Sequence, residues 1–367
     1  MLRSIDYSGL IYPVNPHDVA AFKLSRRDHF GYSSLHRTGK IALVILIALV
    51  ILIALVAGLL ALLLGAPLVR IITGSFDSAF RGGNFFAVLP LLFFTLLTVT
   101  LLVSGGYAKF KSWRKHGGPW QRFYRMNKFA EDNDLVFSPL DRTGSYPGLI
   151  FGQGGSRSIH HRFRSAHGRT LDYGNYRYTT GSGKNRRTHN WGFLALELDR
   201  TLPHMVLDAT ANNQLFGVTN LPQTFAKNQV LSLEGNFDSY FTLYCPKAYE
   251  RDALYIFTPD LMALFIDKTA PYDVEVVDRW LLVYSPKPFD LVDPAVHRRL
   301  LGIADTVGAK TLRQSRNYAD ETIGDRSVNL VAPRGQRLKK SAPIVTLVAA
   351  GVFIAVWGLQ FVLSSAA

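Results

Sequence analysis

The sequence predicts an α+β fold, an antiparallel sheet with flanking helices, anchored by three transmembrane α-helices. Three observations predict it. Three long stretches carry no charge. Short alternating segments separated by turn residues fill the region 119–333. Helical patterns open and close that region. The 367 residues are enough for a membrane region and one sizeable domain. The single cysteine, Cys245, excludes an internally disulfide-stapled fold and reads as a small buried apolar side chain.

Residues 1–40 read as a cytoplasmic tail, with "YPVNPHD" extended or turning. Residues 41–104 read as a transmembrane hairpin with spans at about 41–64 and 85–104, and 343–363 reads as a third span. About 20 apolar residues cross about 30 Å of hydrocarbon. The first span contains the hexad repeat "IALVILIALVILIALV", apolar all round, which matches neither the 3.5 nor the 3.6 helical period. It follows a long charged tail, so it does not read as a cleaved signal peptide. Residues 105–118 form a basic juxtamembrane segment and 334–342 a basic linker. The basic flanks "KLSRRDHFGYSSLHRTGK", "KFKSWRKHGG" and "RGQRLKK" lie on one side of the spans. The positive-inside bias therefore predicts the orientation of a multi-pass plasma-membrane protein. Its N-terminus and main domain would be cytoplasmic and its C-terminus outside.

Within 119–333, "PWQRFYRMNKFAEDND" has helical spacing and "LVFSPL" reads as a strand. "RTLDYGNYRYTT" and "THNWGFLALEL" flank "GSGKNRR" as a β-hairpin, and "DRTLP" signals a second hairpin before "HMVLDAT". "SYFTLYC" is a strand ended by proline, "KAYERD" a charged turn and "ALYIF" returning apolar chain. "TPDLMALFID" opens with an N-cap threonine and Pro259 at the first helical position. "YDVEVVDRWLLVYS" reads as two strands joined at Asp278 and Arg279. "DPAVHRRLLGIADTVGAKTLRQ" places Val296, Leu300, Leu301, Ala304 and Val307 on one helical face.

The pattern Phe237, Phe241, Tyr244, Glu250, Arg251, Leu254, Thr258 and Pro259 resembles a bacterial domain of unknown function found in membrane-anchored proteins. Together with "SYPGLIFGQGGSR", this region is similar to an uncharacterised actinobacterial membrane protein family over about half the chain. The resemblance implies a bacterial membrane setting and supplies no catalytic residue.

Most chemical motifs fail on spacing. "YTTGSGKNRR" lacks the glycine a phosphate loop needs at Tyr178 and the Ser or Thr it needs at Asn185. His160 and His161 are adjacent and would face opposite sides of a strand. Asp238, Glu250, Asp252 and Asp260 each have a turn or helix-start role available. No catalytic residue, cofactor or metal is expected. One run exceeds background. Between Arg157 and Arg187 lie eight cations, Arg157, Arg162, Arg164, Arg169, Arg177, Lys184, Arg186 and Arg187, against one acid, Asp172. Tyr173, Tyr176 and Tyr178 are interleaved with them. Read functionally this is an anion-binding face; read structurally it is a charged guard on an exposed strand.

The expectation is a membrane-anchored cytoplasmic interaction module, without catalysis, that binds a protein partner, anionic lipid headgroups, or both. Nucleic acid is not the expected partner. The alternatives are a hydrolase-like enzyme at the membrane surface, which needs an acid and a histidine gathered in one pocket, and an accessory subunit of a membrane complex.

Overall fold

The computed structural model describes residues 4–29, 31–32, 97, 100, 104, 118–213, 219–325 and 327–341. The chain divides into two compact units, residues 13–124 and the remainder. In the smaller unit, helix α1 (Pro16–Arg26) starts where Asn15 accepts a hydrogen bond from the His17 N–H at 3.0 Å, with Pro16 at the first helical position. Phe22 of α1 packs edge-on against Tyr32, Trp120 and Tyr124.

The larger unit is built on one seven-stranded antiparallel sheet. Its strands are β1 (Leu135–Asp141), β2 (Gly155–Ser165), β3 (Leu171–Thr180), β4 (Arg187–Ala209), β5 (Val230–Leu231), β6 (Phe241–Tyr244) and β7 (Asp273–Ser285). The path is β1-β2-β3-β4-β6-β5, and β7 pairs with β4. β4 is the spine of the sheet. Its first half pairs with β3, its last residues pair with β6, and β7 runs along it from Gly192 to Leu207. Helix α2 (Pro119–Asp132) buries Met126, Phe129 and Ala130. Helices α3 (Glu250–Ile256) and α4 (Pro259–Leu264) follow β6. After β7, α5 (Pro294–Ile303) continues through a π-helical turn at 304–308 into α6 (Ala309–Ser315). Asp293 caps α5 through the Ala295 N–H, and His297, Leu300, Leu301 and Ile303 form its buried face. The first twelve residues belong to this unit. Buried Arg125 donates to the carbonyls of Leu10 and Tyr12 at 2.7 and 2.9 Å, and Tyr7 stacks on Phe129.

The antiparallel sheet with flanking helices agrees with the α+β expectation. The anchoring helices do not, and the fold class is corrected there. Among the described residues, no helix is long and apolar enough to cross a membrane. α2 has 14 residues, where about 20 are needed. The continuous helix from α5 to α6 carries Arg298, Arg299, Asp305, Lys310 and Arg313. The segments 41–64, 85–104 and 343–363 lie outside the described residues, apart from helical positions Leu97, Thr100 and Ser104. The multi-pass membrane placement, its topology and the lipid partner rested on those spans and are withdrawn with them.

Two predicted reversals are also corrected. "DRTLP" does not turn the chain. β4 runs through it, and its pairing with β7 slips register between Glu197 and Leu202 and again before Met205. Asp278 opposite takes φ 52° inside an unbroken β7. The turn-forming residues are absorbed as irregularities in two long, paired strands. "ALYIF", read as returning apolar chain, is helical: Ala253–Ile256 end helix α3 and Phe257 caps it.

Candidate functional site

The eight cations divide sharply. Arg162 is buried at 8 % exposure. Its Nε lies 2.9 and 3.1 Å from the two carboxylate oxygens of Asp172, and its Nη1 bonds Asp141. Tyr146 donates its hydroxyl to the same Asp172 carboxylate. Burial disfavours the Arg162 charge, but the bonds and charge of Asp172 outweigh it and hold the guanidinium above its ordinary pKa. Burial pushes Asp172 up, against the pull of Arg162. Arg157 donates to the carbonyls of Gly152, Gln153 and Gly154 and closes that loop. Arg169 binds Asp199 and the Glu197 carbonyl. These three side chains hold the sheet together.

The other five, Arg164, Arg177, Lys184, Arg186 and Arg187, are exposed and form no ion pair among the described residues. Arg164 stands apart, opposite Asp172 in the β2–β3 ladder. Arg177, Lys184, Arg186 and Arg187 gather at one end of the β3–β4 hairpin, whose turn is a single 3₁₀ turn at Gly183–Asn185. Gly181 takes φ 72° there, and a Cβ would stand 2.4 Å from the Asn185 carbonyl oxygen, so this turn requires glycine. Arg186 also reaches Ser156 Oγ at 3.3 Å. His160 lies beneath this end, bonded to Ser158. Burial, then the charges of Arg177 and Arg142, hold its pKa down. His161 takes φ 51° in the β2 irregularity, so the two histidines do not follow simple strand alternation. The tyrosines between the cations do not face solvent: Tyr173, Tyr176 and Tyr178 are all buried. They are unavailable to stack on bases.

Two of the cavities among the described residues matter here. One of about 490 Å³ is lined by Arg162, Arg164, Tyr146, Trp280 and the 143–145 turn. The other, about 750 Å³, is bordered by Glu131, Asp132, Asp134, Glu197 and Asp305, with Arg169 and His167.

An acid and a histidine do meet, but away from both cavities. His204 Nε2 lies 2.8 Å from Glu275 Oε1. Glu275 Oε2 accepts from the Tyr284 hydroxyl at 2.6 Å and the Leu149 N–H at 2.8 Å. His204 Nδ1 accepts the Leu338 N–H at 3.0 Å, which fixes the proton on Nε2, facing the carboxylate. All three side chains are buried and their donors are matched. The cluster ties the 148–151 turn and the 333–341 segment to the sheet. Sequence spacing did not reveal it, because 71 residues separate His204 from Glu275.

The acids of the 237–267 stretch are each held by a neighbour. Asp238 accepts from the Leu233 N–H, Glu250 pairs with Lys247, Asp252 accepts from Tyr318, and Asp260 pairs with Lys310. Cys245 is buried, and burial, with Asp252 and Glu250 nearby, pushes its thiol up to about 12. A thiol so held is not a nucleophile. A second acid pair, Asp208 and Asp273, was not singled out in the sequence. Burial pushes Asp273 up to about 7, and the neighbouring Asp208 charge adds to it.

No family model matches the chain, and no curated protein matches it. Among solved structures, the mycobacterial trehalose monomycolate transport factor A is similar at 11 % sequence identity and a TM-score of 0.35, over 53 % of this chain and 94 % of that one. A likeness that weak carries no argument about function.

Proposed function

We propose that the chain is a non-catalytic interaction module that receives an acidic segment of a protein partner at the end of its β3–β4 hairpin. One observation carries this reading: Arg177, Lys184, Arg186 and Arg187 stand exposed and without ion pairs among the described residues, while Arg157, Arg162 and Arg169 nearby in the sequence are consumed by internal bonds. Edge protection does not account for Arg177: β3 is paired with β2 on one side and β4 on the other, so it guards no open edge. The enclosed His204–Glu275 pair, with every donor matched, supports a role without catalysis. The protein partner is retained from the sequence reading; the lipid partner is not.

The test is fluorescence anisotropy of the full-length chain with a labelled poly-glutamate peptide at rising salt. Exposed ion pairs are worth about 0.2–1 kcal/mol each. Reversing three of them in K184E/R186E/R187E is expected to weaken binding about tenfold or more, since about 1.4 kcal/mol is a factor of ten. Wild-type affinity should fall as salt rises. An unchanged Kd in the triple variant, or wild-type binding indifferent to salt, overturns the proposal.

A further inference from the structure

At the far end of the sheet, where β4 ends and β7 begins, six buried side-chain polar atoms have no hydrogen-bond partner. Five are oxygens, Asp208 Oδ1, Asp273 Oδ2 and the amide oxygens of Asn212, Asn213 and Asn220, and one is the amide nitrogen of Asn220. Asp273 is 0 % and Asp208 4 % exposed. The ladder Leu207↔Val274 brings the two carboxylates alongside each other. Asp273 Oδ1 is engaged by the Ala209 N–H at 2.9 Å, leaving Oδ2 as the orphan. Asn212 donates its amide to the Pro271 carbonyl at 2.7 Å, which holds its side chain beside the group. Asn212 and Asn220 border the Asp273 carboxyl, and Thr219 and Asn213 the Asp208 carboxyl, and each lowers its neighbour's pKa as a hydrogen-bond donor does, against the larger upward push of burial.

Orphaned buried acceptors are costly, and native chains keep few of them. Here five such acceptors gather against one orphaned donor, the Asn220 amide nitrogen, with no basic residue among them. We infer that these residues form a binding site for a hard divalent cation of the calcium type. Such ions take six to eight oxygen ligands from carboxylates, amide oxygens, carbonyls and water. Two carboxylates balance the ionic charge, three amides supply neutral oxygens, and water completes the shell. The set has no sulfur or imidazole, which sets it apart from a zinc or copper site. Among the described residues, no group of three or more His, Cys, Asp or Glu is placed to hold a metal ion, so any ligand set here depends on the asparagines.

Terbium, a calcium-like ion, gives the direct probe. Tyr244 on β6 feels the charge of Asp208, so it lies where it can sensitise terbium emission. The full-length chain should show saturable terbium luminescence on tyrosine excitation, displaced by calcium. Calcium should raise the melting temperature, and a chelator should reverse the shift. Asp273→Asn and Asp208→Asn keep shape and remove one ligand charge each. Each should weaken ion binding by about tenfold or more, while circular dichroism shows both still folded. Absence of sensitised emission together with no thermal shift in calcium, magnesium or manganese overturns the inference. So does wild-type affinity in both folded variants. An Asp273→Asn chain that is more stable than wild type, where wild type binds no ion, identifies a proton-sharing carboxyl pair in place of a metal site.

Discussion

Replacing Arg162 by methionine tests whether this side chain is structural or belongs to the anion-binding surface. Methionine fills much of the arginine stem, so the loss is charge and hydrogen bonds more than volume. Asp172 is fully buried and takes both its ionic contacts from Arg162, leaving Tyr146 as its remaining side-chain donor. Removing one partner of a buried pair costs about 3–5 kcal/mol, because the other charge stays uncompensated. For a unit of this size, 1 kcal/mol moves Tm by about 2–4 °C, so R162M should melt roughly 6–20 °C below wild type at neutral pH. The sign of the pH effect follows. In the variant, Asp172 keeps its burial and loses its cation, so its folded pKa lies above its unfolded value. Folding then takes up a proton, and the variant should recover stability as pH falls toward 5. The assay is urea and thermal unfolding of R162M, D172N and the double variant. The coupling energy should exceed about 2 kcal/mol. A loss below about 1 kcal/mol, or strictly additive single variants, would show that Asp172 does not depend on Arg162. The internal ion pair would then be wrong, and Arg162 would rejoin the exposed cations. Peptide binding by R162M should match wild type.

Two further outcomes follow from the same chemistry. Burial opposes the charge of Asp141, yet the Thr143 N–H and hydroxyl and the Arg162 guanidinium hold its carboxyl down at about 2, below its ordinary 3.8. Its contribution to stability is present above about 3.8 and lost as pH falls through 2, so Asp141→Asn should flatten the stability–pH curve in that window, measured by urea unfolding. Cys245, with its thiol raised to about 12 and buried, should resist iodoacetamide at pH 8 until denaturant opens the fold; mass spectrometry of the native protein checks this.

Local signals were legible where local chemistry decides. Pro259 at the first turn, the amphipathic spacing of 119–132 and the glycine-rich tip at 181–183 all produced the elements they announce. The threonine cap is an exception in detail: Thr258 sits at the N-cap of α4, but its hydroxyl makes no capping bond. The sequence misled where tertiary pairing overrides a turn signal. "DRTLP" and Asp278–Arg279 lie in β4 and β7, and the two irregular stretches face each other, so the strands bend together and neither reverses. The basic run was legible as a composition and not as a site. Whether an arginine points at an aspartate 10 or 21 residues away depends on strand register. That is why Arg162 and Arg169 look the same as Arg186 on paper. The Asp208–Asp273 cluster was invisible for a related reason: its members come from two distant segments and most are asparagines, which read as ordinary turn residues.

The pairing of β4 has a consequence for how the chain is made. β3 precedes β4 and zips onto it through a short turn as soon as both have left the ribosome. The other edge must wait, because Gly192 pairs with Ser285 and Leu207 with Val274. At about 5–20 residues per second, that delay is on the order of ten seconds. Through it, Phe193, Leu194, Ala195, Leu196 and Val206, all destined for the interior, lie along an open ladder. The nascent chain is therefore most exposed to chaperones, and to self-association with other nascent copies, between the synthesis of β4 and that of β7.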